Sequence, residues 1–410
     1  MSLFLEPGHH FGIDTTTMVG GQTLPILNKL METPLSVKNN GFAQILLNYF
    51  QKTNQSSSVV YSPFSIFYLM ELVYMGSNGK TREELGKILG VELETESQTI
   101  KDMIHFGREL ESSGSVKMAN GFFIERSYKD FIRDSFRELM EKIGKLEECN
   151  FQNGALMEVE KINTWVKKQT MGLVPCILEP SDIDTDTKLV LVNTLYFKDK
   201  WLNCFQPEKT KTGIFNNLLG GRYPLDLMHQ KGQFEYYDNE QFQILSMKYV
   251  GGEVVMDIFL PKNLGKKNME TVLSDHLNYD LDQVLMEQEV EVIFPKFKQR
   301  NRQSLAKAFS DLGAKRMFTA NAEFANLVVP PPGDDNHVYI SDIIHECVVI
   351  VDEEKTEAAA ATCVMLRNEC CVEERKPKVF KADHSFLYQI RYSNNGLVLF
   401  HGVFDGQSED

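Results

Sequence analysis

Residues 351–366 have the sequence VDEEKTEAAAATCVML, in which four consecutive alanines, Ala358 to Ala361, follow a charged run. Alanine has the highest helix propensity, so one turn of helix is the simplest interpretation. The flanking sequence argues against it. CVVIVDEE, which ends at Glu354, has the pattern of a buried strand, and TCVMLRNECCVEERKPK, which begins at Thr362, has no apolar helical face. The small residues from Thr356 to Thr362 instead suit a segment that slides between strands that are already packed.

The composition limits what such a segment can serve. A chain of 410 residues that is 42% hydrophobic and 24% charged can bury a large core and is predicted to be globular. Its formal net charge of −14 repels phosphate backbones and anionic lipids, and no basic patch offsets this charge. We therefore expect no nucleic-acid partner and no membrane partner. We also expect no cofactor.

The cysteines and the N-terminal sequence bear on the compartment. Seven cysteines, an odd number spread through a large chain, favour free thiols, and the sequence begins with no visible export signal. These features favour a cytoplasmic location. Asn54-Gln55-Ser56 is a glycosylation sequon, so a secreted protein whose signal has been removed is the alternative.

The order of the elements predicts the fold class. Residues 1–36 lack periodicity and are predicted to be a flexible extension, whereas residues 37–410 are predicted to form one domain. Helical patterns come first; they are GFAQILLNYFQK from Gly41, a helix from Pro63 to Met75, KDFIRDSFRELMEKIG from Lys129 and INTWVKKQTMG from Ile162. Strand patterns follow; they are KLVLVNTLYF, ILSMKYVGGEVVMDIFLP, VEVIFPKF, CVVIVDEE and LVLFHGVF. Helices early and strands late predict an α+β fold.

Three enzyme motifs fail on inspection. Gly79-Lys80-Thr81 imitates the end of a phosphate-binding loop, but Tyr74 stands where the loop's first glycine is required. His345-Glu346 begins like a zinc-protease motif, but Val349 stands where the second histidine is required. No Gly-x-Ser-x-Gly elbow occurs. The sequence therefore predicts a protein that is not an enzyme and that binds no metal.

The stretch from Glu353 to Thr362, E-E-K-T-E-A-A-A-A-T, resembles the hinge of the serpin family. Further segments similar to that family occur in the expected order; they are SPFSI at 62–66, LVNTLYFKDKW at 191–201, FPKF at 294–297, FKADHSFLYQI at 380–390 and LFHGVF at 399–404. The resemblance covers about residues 37–405. It implies a serpin fold of about nine helices and three β-sheets, with an exposed reactive-centre loop at about 353–379.

The resemblance also implies a mechanism. A target protease cleaves the loop as a substrate, and the cut loop then inserts into the large sheet and traps the acyl-enzyme. The implied partner is a serine protease, or alternatively a cysteine protease, and the inhibitor is expected to be a monomer. Lys355 departs from the family pattern, because inhibitory members usually carry glycine there. This departure favours the alternative of a non-inhibitory carrier, chaperone or storage protein.

The resemblance assigns two groups of functional residues. The hinge comprises Glu353, Glu354, Lys355, Thr356, Glu357, Ala358, Ala359, Ala360, Ala361 and Thr362. The sheet-opening cluster comprises Ser62, Ser65, Asn193, His345 and Trp201. Taken without the resemblance, the four polar residues are ordinary buried hydrogen-bonding groups and Trp201 is an ordinary core residue.

The scissile bond follows from the family's spacing. Seventeen residues counted from Glu353 place it between Glu369 and Cys370, which predicts a protease that prefers acidic side chains. The segment after Cys370 is one or two residues longer than usual, so the cut can move to Cys370 or Cys371. Cleavage between Arg367 and Asn368 is the alternative and would suit a trypsin-like enzyme. Met365 and Leu366 would suit a chymotrypsin-like pocket or a cysteine protease.

Overall fold

The computed structural model describes residues 34–53, 58–91, 96–112, 114–276, 279–329, 338–353 and 377–408. Within these ranges the chain forms nine α-helices, several short 3-10 helices and fourteen strands. The α+β class is confirmed. No helix in the described ranges combines the length and the apolar character that crossing a bilayer requires.

Most of the helices lie in the first half of the chain. They are α1 Pro34–Thr53, α2 Pro63–Gly76, α3 Gly79–Leu89, α4 Glu96–Ser112, α5 Asp134–Ile143, α6 Phe151–Gln169, α7 Lys266–Asp275, α8 Leu281–Val284 and α9 Ala306–Leu312. Helix α2 is almost wholly buried, and Ser62 caps it by accepting a hydrogen bond from the backbone N–H of Ser65.

The strands extend through the whole chain. They are β1 Val59–Tyr61, β2 Val116–Glu125, β3 Lys145–Cys149, β4 Leu189–Phe197, β5 Lys211–Asn216, β6 Arg222–Asp238, β7 Phe242–Lys248, β8 Val254–Pro261, β9 Met286–Pro295, β10 Phe297–Ser304, β11 Ile340–Val351, β12 Lys378–Lys381, β13 Phe386–Tyr392 and β14 Leu397–Phe404.

Five strands form the sheet whose strand β11 leads into the quoted stretch. Their order is β10-β11-β4-β2-β3, and β11 leads directly to the hinge at Glu353. Every residue of β4 is buried, because both faces of the sheet are covered. On one face Val190, Val192 and Val348 pack in a cluster with residues of α6. On the other face lies the main core, which includes α2 and β14.

The other nine strands form one continuous hydrogen-bonded unit. The order β1-β14-β13-β8-β7 continues through β6 to β9 and β12, and β5 pairs with the start of β6. Strand β6 is 17 residues long; it pairs with β9 from Leu227 to Tyr236, but with β7 only from Glu235 to Asp238. We interpret this unit as two of the three expected sheets, which are hydrogen-bonded to each other through this short hairpin.

Three local predictions from the sequence were wrong. The helix predicted from Lys129 starts only at Asp134, because Arg126–Phe131 is a 3-10 helix and Ile132 is extended. Helix α6 begins at Phe151, eleven residues before the predicted Ile162. Strands β2 and β3 lie within the half of the chain that was predicted to be helical.

Candidate functional site

The candidate site is the seam between β11 and β4. The two strands run parallel, and their paired residues extend from Ile340 with Leu189 to Val349 with Phe197. In the middle of the seam His345 lies opposite Asn193. A strand that enters this seam must break every one of these backbone pairings.

A buried polar cluster lies under the middle of the seam. The imidazole Nδ1 of His345 lies 2.6 Å from the side-chain oxygen of Asn193, and the backbone N–H of Ser62 donates to His345 Nε2 at 3.3 Å. Asn193 Nδ2 lies 3.0 Å from the Ser65 carbonyl oxygen and 2.5 Å from its hydroxyl. The Ser62 hydroxyl donates to the Leu399 carbonyl at 2.7 Å. These bonds link both strands of the seam to the start of α2.

His345 is neutral in this cluster. It has no solvent-exposed surface, and burial lowers its pKa to about 3. Because Nε2 accepts from Ser62, Nδ1 carries the proton and donates it to Asn193. His345 therefore connects β11 to β4 and α2 through a single fixed tautomer.

Asn120 joins the same cluster from β2. Its side-chain oxygen lies 2.5 Å from Asn193 Nδ2, and the two residues face each other across the β2–β4 pair. The sequence analysis missed Asn120. A signal for it was present in the sequence. Asn120 is the fifth residue of the largely apolar stretch VKMANGFFIE, just as Asn193 is the fifth residue of LVLVNTLYF.

Trp201 lies at the end of the seam where the hinge begins. Its ring is buried and stacks on Tyr249, with the centroids 4.3 Å apart and an interplanar angle of 14°. The indole N–H donates to the backbone carbonyl of Asp352 at 3.0 Å. Trp201 therefore holds the chain one residue before Glu353.

Ionic contacts hold the same point, which we call the loop root, residues 352–353. The Lys296 ammonium lies 2.8 Å from Glu353 Oε2, and the Thr210 hydroxyl donates to Glu353 Oε1 at 2.8 Å. Lys198 lies 3.1 Å from the Asp352 carboxylate. Burial opposes ionisation of Glu353, but the bonds from Lys296 and Thr210 outweigh it, and the pKa of Glu353 lies below its ordinary value.

The polar side chains of the cluster are bound to one another and to the backbone. The described part of the chain contains no group of three His, Cys, Asp or Glu residues able to hold a metal ion. The histidine of the cluster is buried, and both of its ring nitrogens are engaged in internal hydrogen bonds. What the geometry provides is a parallel seam, a polar cluster beneath it and a restrained loop root at its end.

A family model described as "Serpin (serine protease inhibitor)" matches residues 37–405. The chain belongs to the serpin family. Its relatives include the leukocyte elastase inhibitor of Bos taurus, which is 31% identical over 381 residues and matches 90% of this chain and 98% of that protein. The ovalbumin of Dromaius novaehollandiae is 26% identical over 369 residues, which are 85% of this chain and 92% of that protein.

The solved structures agree on the fold of this serpin. The crystal structure of uncleaved ovalbumin superposes with a TM-score of 0.79 at 22% identity, over 92% of this chain and 100% of that chain. At this level of identity the likeness concerns the fold alone.

The structure brings four of the predicted residues, Ser62, Ser65, Asn193 and His345, into one hydrogen-bonded group. Trp201 lies apart from them at the loop root. Their roles in sheet opening stay predictions. The sequence analysis also missed Lys296, although it lies within the quoted FPKF segment, because its partner Glu353 is 57 residues away in the chain.

The remaining predicted residues lie outside the described residues. Of the hinge, only Glu353 is described, since the range 354–376 is not. Both candidate scissile bonds, Glu369–Cys370 and Arg367–Asn368, fall in that range and stay predictions. The domain boundary at residue 36, the monomeric state and the compartment are also untested.

Proposed function

We propose that this serpin is a protease inhibitor that acts as a suicide substrate, with loop cleavage followed by insertion of the loop between β11 and β4. One observation carries the proposal. The strand that leads to the hinge pairs in parallel with its neighbour, so a chain that turns back at the hinge runs antiparallel to both strands.

The lengths favour this insertion. Strand β11 has 12 residues, which span about 40 Å at about 3.3 Å per residue. Cleavage after Glu369 leaves about 16 residues beyond Glu353, which is enough to line the whole of β11. The stretch from Thr356 to Thr362, in which every residue except Glu357 is small, would enter first.

The energetics favour it as well. If each new backbone hydrogen bond contributes about 0.5–1.5 kcal/mol, a strand of roughly a dozen residues gains on the order of 10 kcal/mol before packing. A whole domain has a stability of about 5–15 kcal/mol. The uncleaved form must therefore be held by a kinetic barrier. We infer that the polar cluster and the loop root contribute to this barrier.

The covalent chemistry belongs to the protease. Its serine hydroxyl or cysteine thiol attacks the carbonyl carbon of Glu369, the bond to the nitrogen of Cys370 breaks, and the released amine takes up the proton. The protease is left as an ester or thioester of Glu369. Insertion then outruns the attack of water that would release it. Arg367 takes the same role if the protease is trypsin-like.

The test is an incubation with a panel of serine and cysteine proteases that differ in their preference at the cut. We expect one class to form a complex that survives SDS, together with a released C-terminal peptide whose mass identifies the bond. A released peptide that begins at Cys370 supports an acid-preferring target, and a peptide that begins at Asn368 supports a trypsin-like target. Cleavage by every protease without any stable complex would refute inhibition.

The second candidate function is a non-inhibitory serpin that acts as a carrier, chaperone or storage protein. Lys355 favours it, because lysine has less backbone freedom than glycine at the point where the turn must form. The similarity to ovalbumin, whose name mentions no protease, leaves it open. If Lys355 is the obstacle, a Lys355→Gly variant should form the complex faster than the natural protein.

A further inference from the structure

An open groove of about 340 Å³ lies at the corner where β6 leaves β9 and meets β7. Its rim includes two large apolar side chains that face solvent, since Leu202 is 53% exposed and Met286 is 61% exposed. Asn203, Gln233 and Glu287 line the same groove and are also exposed. Because these side chains are already at the surface, an incoming protein can contact them directly.

The groove lies close to both ends of the reactive loop. At the loop root Trp201, which lines the groove, donates to the Asp352 carbonyl at 3.0 Å. At the other end the Lys378 ammonium lies 6.0 Å from the centre of the Tyr236 ring, and Tyr236 on β6 pairs with Met286 on the rim. A protein that grips the loop is therefore brought next to the groove.

The charges indicate what kind of protein surface fits. The charged residues that line the groove are Glu235, Lys248 and Glu287. Glu235 and Lys248 form an ion pair at 2.7 Å and offset each other, so Glu287 leaves the rim with a net negative charge. The whole chain carries a formal charge of −14, which attracts a basic protein from beyond contact distance. A partner with an apolar side chain on a basic surface is therefore favoured.

We propose that the rim of this groove is a second contact surface for the target protease, which places an apolar side chain of a basic surface region between Leu202 and Met286. This proposal rests on the proposed function, because it requires a protease that binds the loop. A few well-placed apolar side chains carry most of the binding energy of a protein interface. The two rim residues therefore favour one protease over others that could cleave the same loop.

The test measures kcat/KM for cleavage of the loop by the protease that cleaves it fastest in the panel of serine and cysteine proteases. Leu202→Ser and Met286→Ser should each lower this value by about fivefold. Leu219→Ser is the control and should leave it unchanged, because Leu219 is 82% exposed in the turn between β5 and β6, outside the groove. Cleavage does not require insertion, so this result can be read even if no SDS-stable complex forms.

Two further measurements separate a contact surface from a disturbed loop. The slower proteases of the panel should cleave the rim variants and the natural protein at equal rates, because they do not use the groove. Glu287→Lys should lower kcat/KM for the fastest protease, and the effect should be larger at low than at high salt. The proposal would be overturned by an equal fall for every protease, by a fall no greater than that of Leu219→Ser, or by an unchanged rate in Glu287→Lys.

Discussion

At the scale of single residues, the contact between Lys296 and Glu353 is the most accessible to experiment. Lys296 is about half exposed whereas Glu353 is largely buried, so the ion pair gains some strength from the covered carboxylate. This ion pair joins the connection between β9 and β10, where Lys296 lies, to the start of the loop. Loss of the pair should therefore affect the seam as well as overall stability.

We expect Lys296→Met to lower the stability of the native form by about 1 kcal/mol. The native form of this variant should also be lost spontaneously at a higher rate. The pKa of Glu353 is depressed in the folded protein, so the contribution of the pair is complete above the ordinary glutamate pKa of about 4.3 and is lost as the pH falls through the lower folded pKa. The thermal midpoints of the variant and the natural protein should differ at pH 7, and the difference should be smaller at about pH 3.

Lys307→Met is the matched control. Its ion pair with Asp311 is of similar length but is more exposed and lies within helix α9. This variant should have almost the natural midpoint at both pH values. If both lysine variants behave alike, the loop root has no special role.

His345 predicts a separate dependence on pH. Its folded pKa of about 3 lies well below the unfolded value of about 6.5, so only the unfolded chain takes up a proton between these values. Stability is therefore complete above about pH 6.5 and falls on acidification by up to about 1.4 kcal/mol per pH unit. His276, with a pKa of about 4, and His401, with a lowered pKa, add to the slope.

His345→Gln should make this slope shallower by about 1.4 kcal/mol per pH unit, measured as the free energy of unfolding in urea between pH 4.5 and 6. The exposed His105→Gln serves as the control and should leave the slope unchanged. An unchanged slope in His345→Gln would mean that His345 is not neutral when buried.

The sequence could predict these residues only in part. Ser62, Ser65, Asn193 and His345 were accessible through family resemblance, because each lies in a recognisable segment. Asn120 and Lys296 were not predicted, since their partners come from distant strands and pairing of this kind depends on the folded register. A lone polar residue in a buried strand is a usable signal for Asn120, whereas Lys296 resembles any surface lysine.

At the scale of elements, the seam itself offers a decisive substitution. Cys347 on β11 lies opposite Leu195 on β4, and both are fully buried. Neighbouring strands are about 4.8 Å apart, which is within the range that a disulfide bridges. Leu195→Cys therefore places a thiol across the seam from a natural one.

After oxidation, Leu195→Cys should still be cleaved in the loop but should form no SDS-stable complex, because β11 and β4 cannot part. A reductant should restore the complex. Leu195→Ala controls for the lost packing, which costs about 2–5 kcal/mol, and should show no response to oxidant. If the oxidised Leu195→Cys protein still formed the SDS-stable complex in full yield, the loop would have to insert at a place other than the seam between β11 and β4.

The elements were predictable where a continuous apolar run is bounded by clear turn or polar residues. Helix α2 and strands β4 and β14 lie where their apolar patterns placed them. Strand β2 was missed because Lys117, Asn120 and Gly121 interrupt its pattern and are residues that strands disfavour. Contacts with the rest of the fold stabilise this strand, because the side chain of Asn120 is hydrogen-bonded to that of Asn193.

At the scale of the whole molecule, the proposed insertion implies that the uncleaved chain is trapped away from its most stable arrangement. The five-stranded sheet has a parallel seam that can accept one more strand, and the chain that would fill it begins at the loop root. If the loop inserts as proposed, the stored free energy is on the order of that of a folded domain. Cleavage of the loop should therefore make the protein more stable, the reverse of what a cut does to most proteins.

The most direct test is the thermal midpoint before and after a single cut within residues 354–376, with the site of the cut verified by mass spectrometry. About 10 kcal/mol of added strand should raise the midpoint by at least about 10 °C, given the shift of about 2–4 °C per kcal/mol seen in smaller domains. An unchanged or lower midpoint would mean that the cut loop stays outside the sheet.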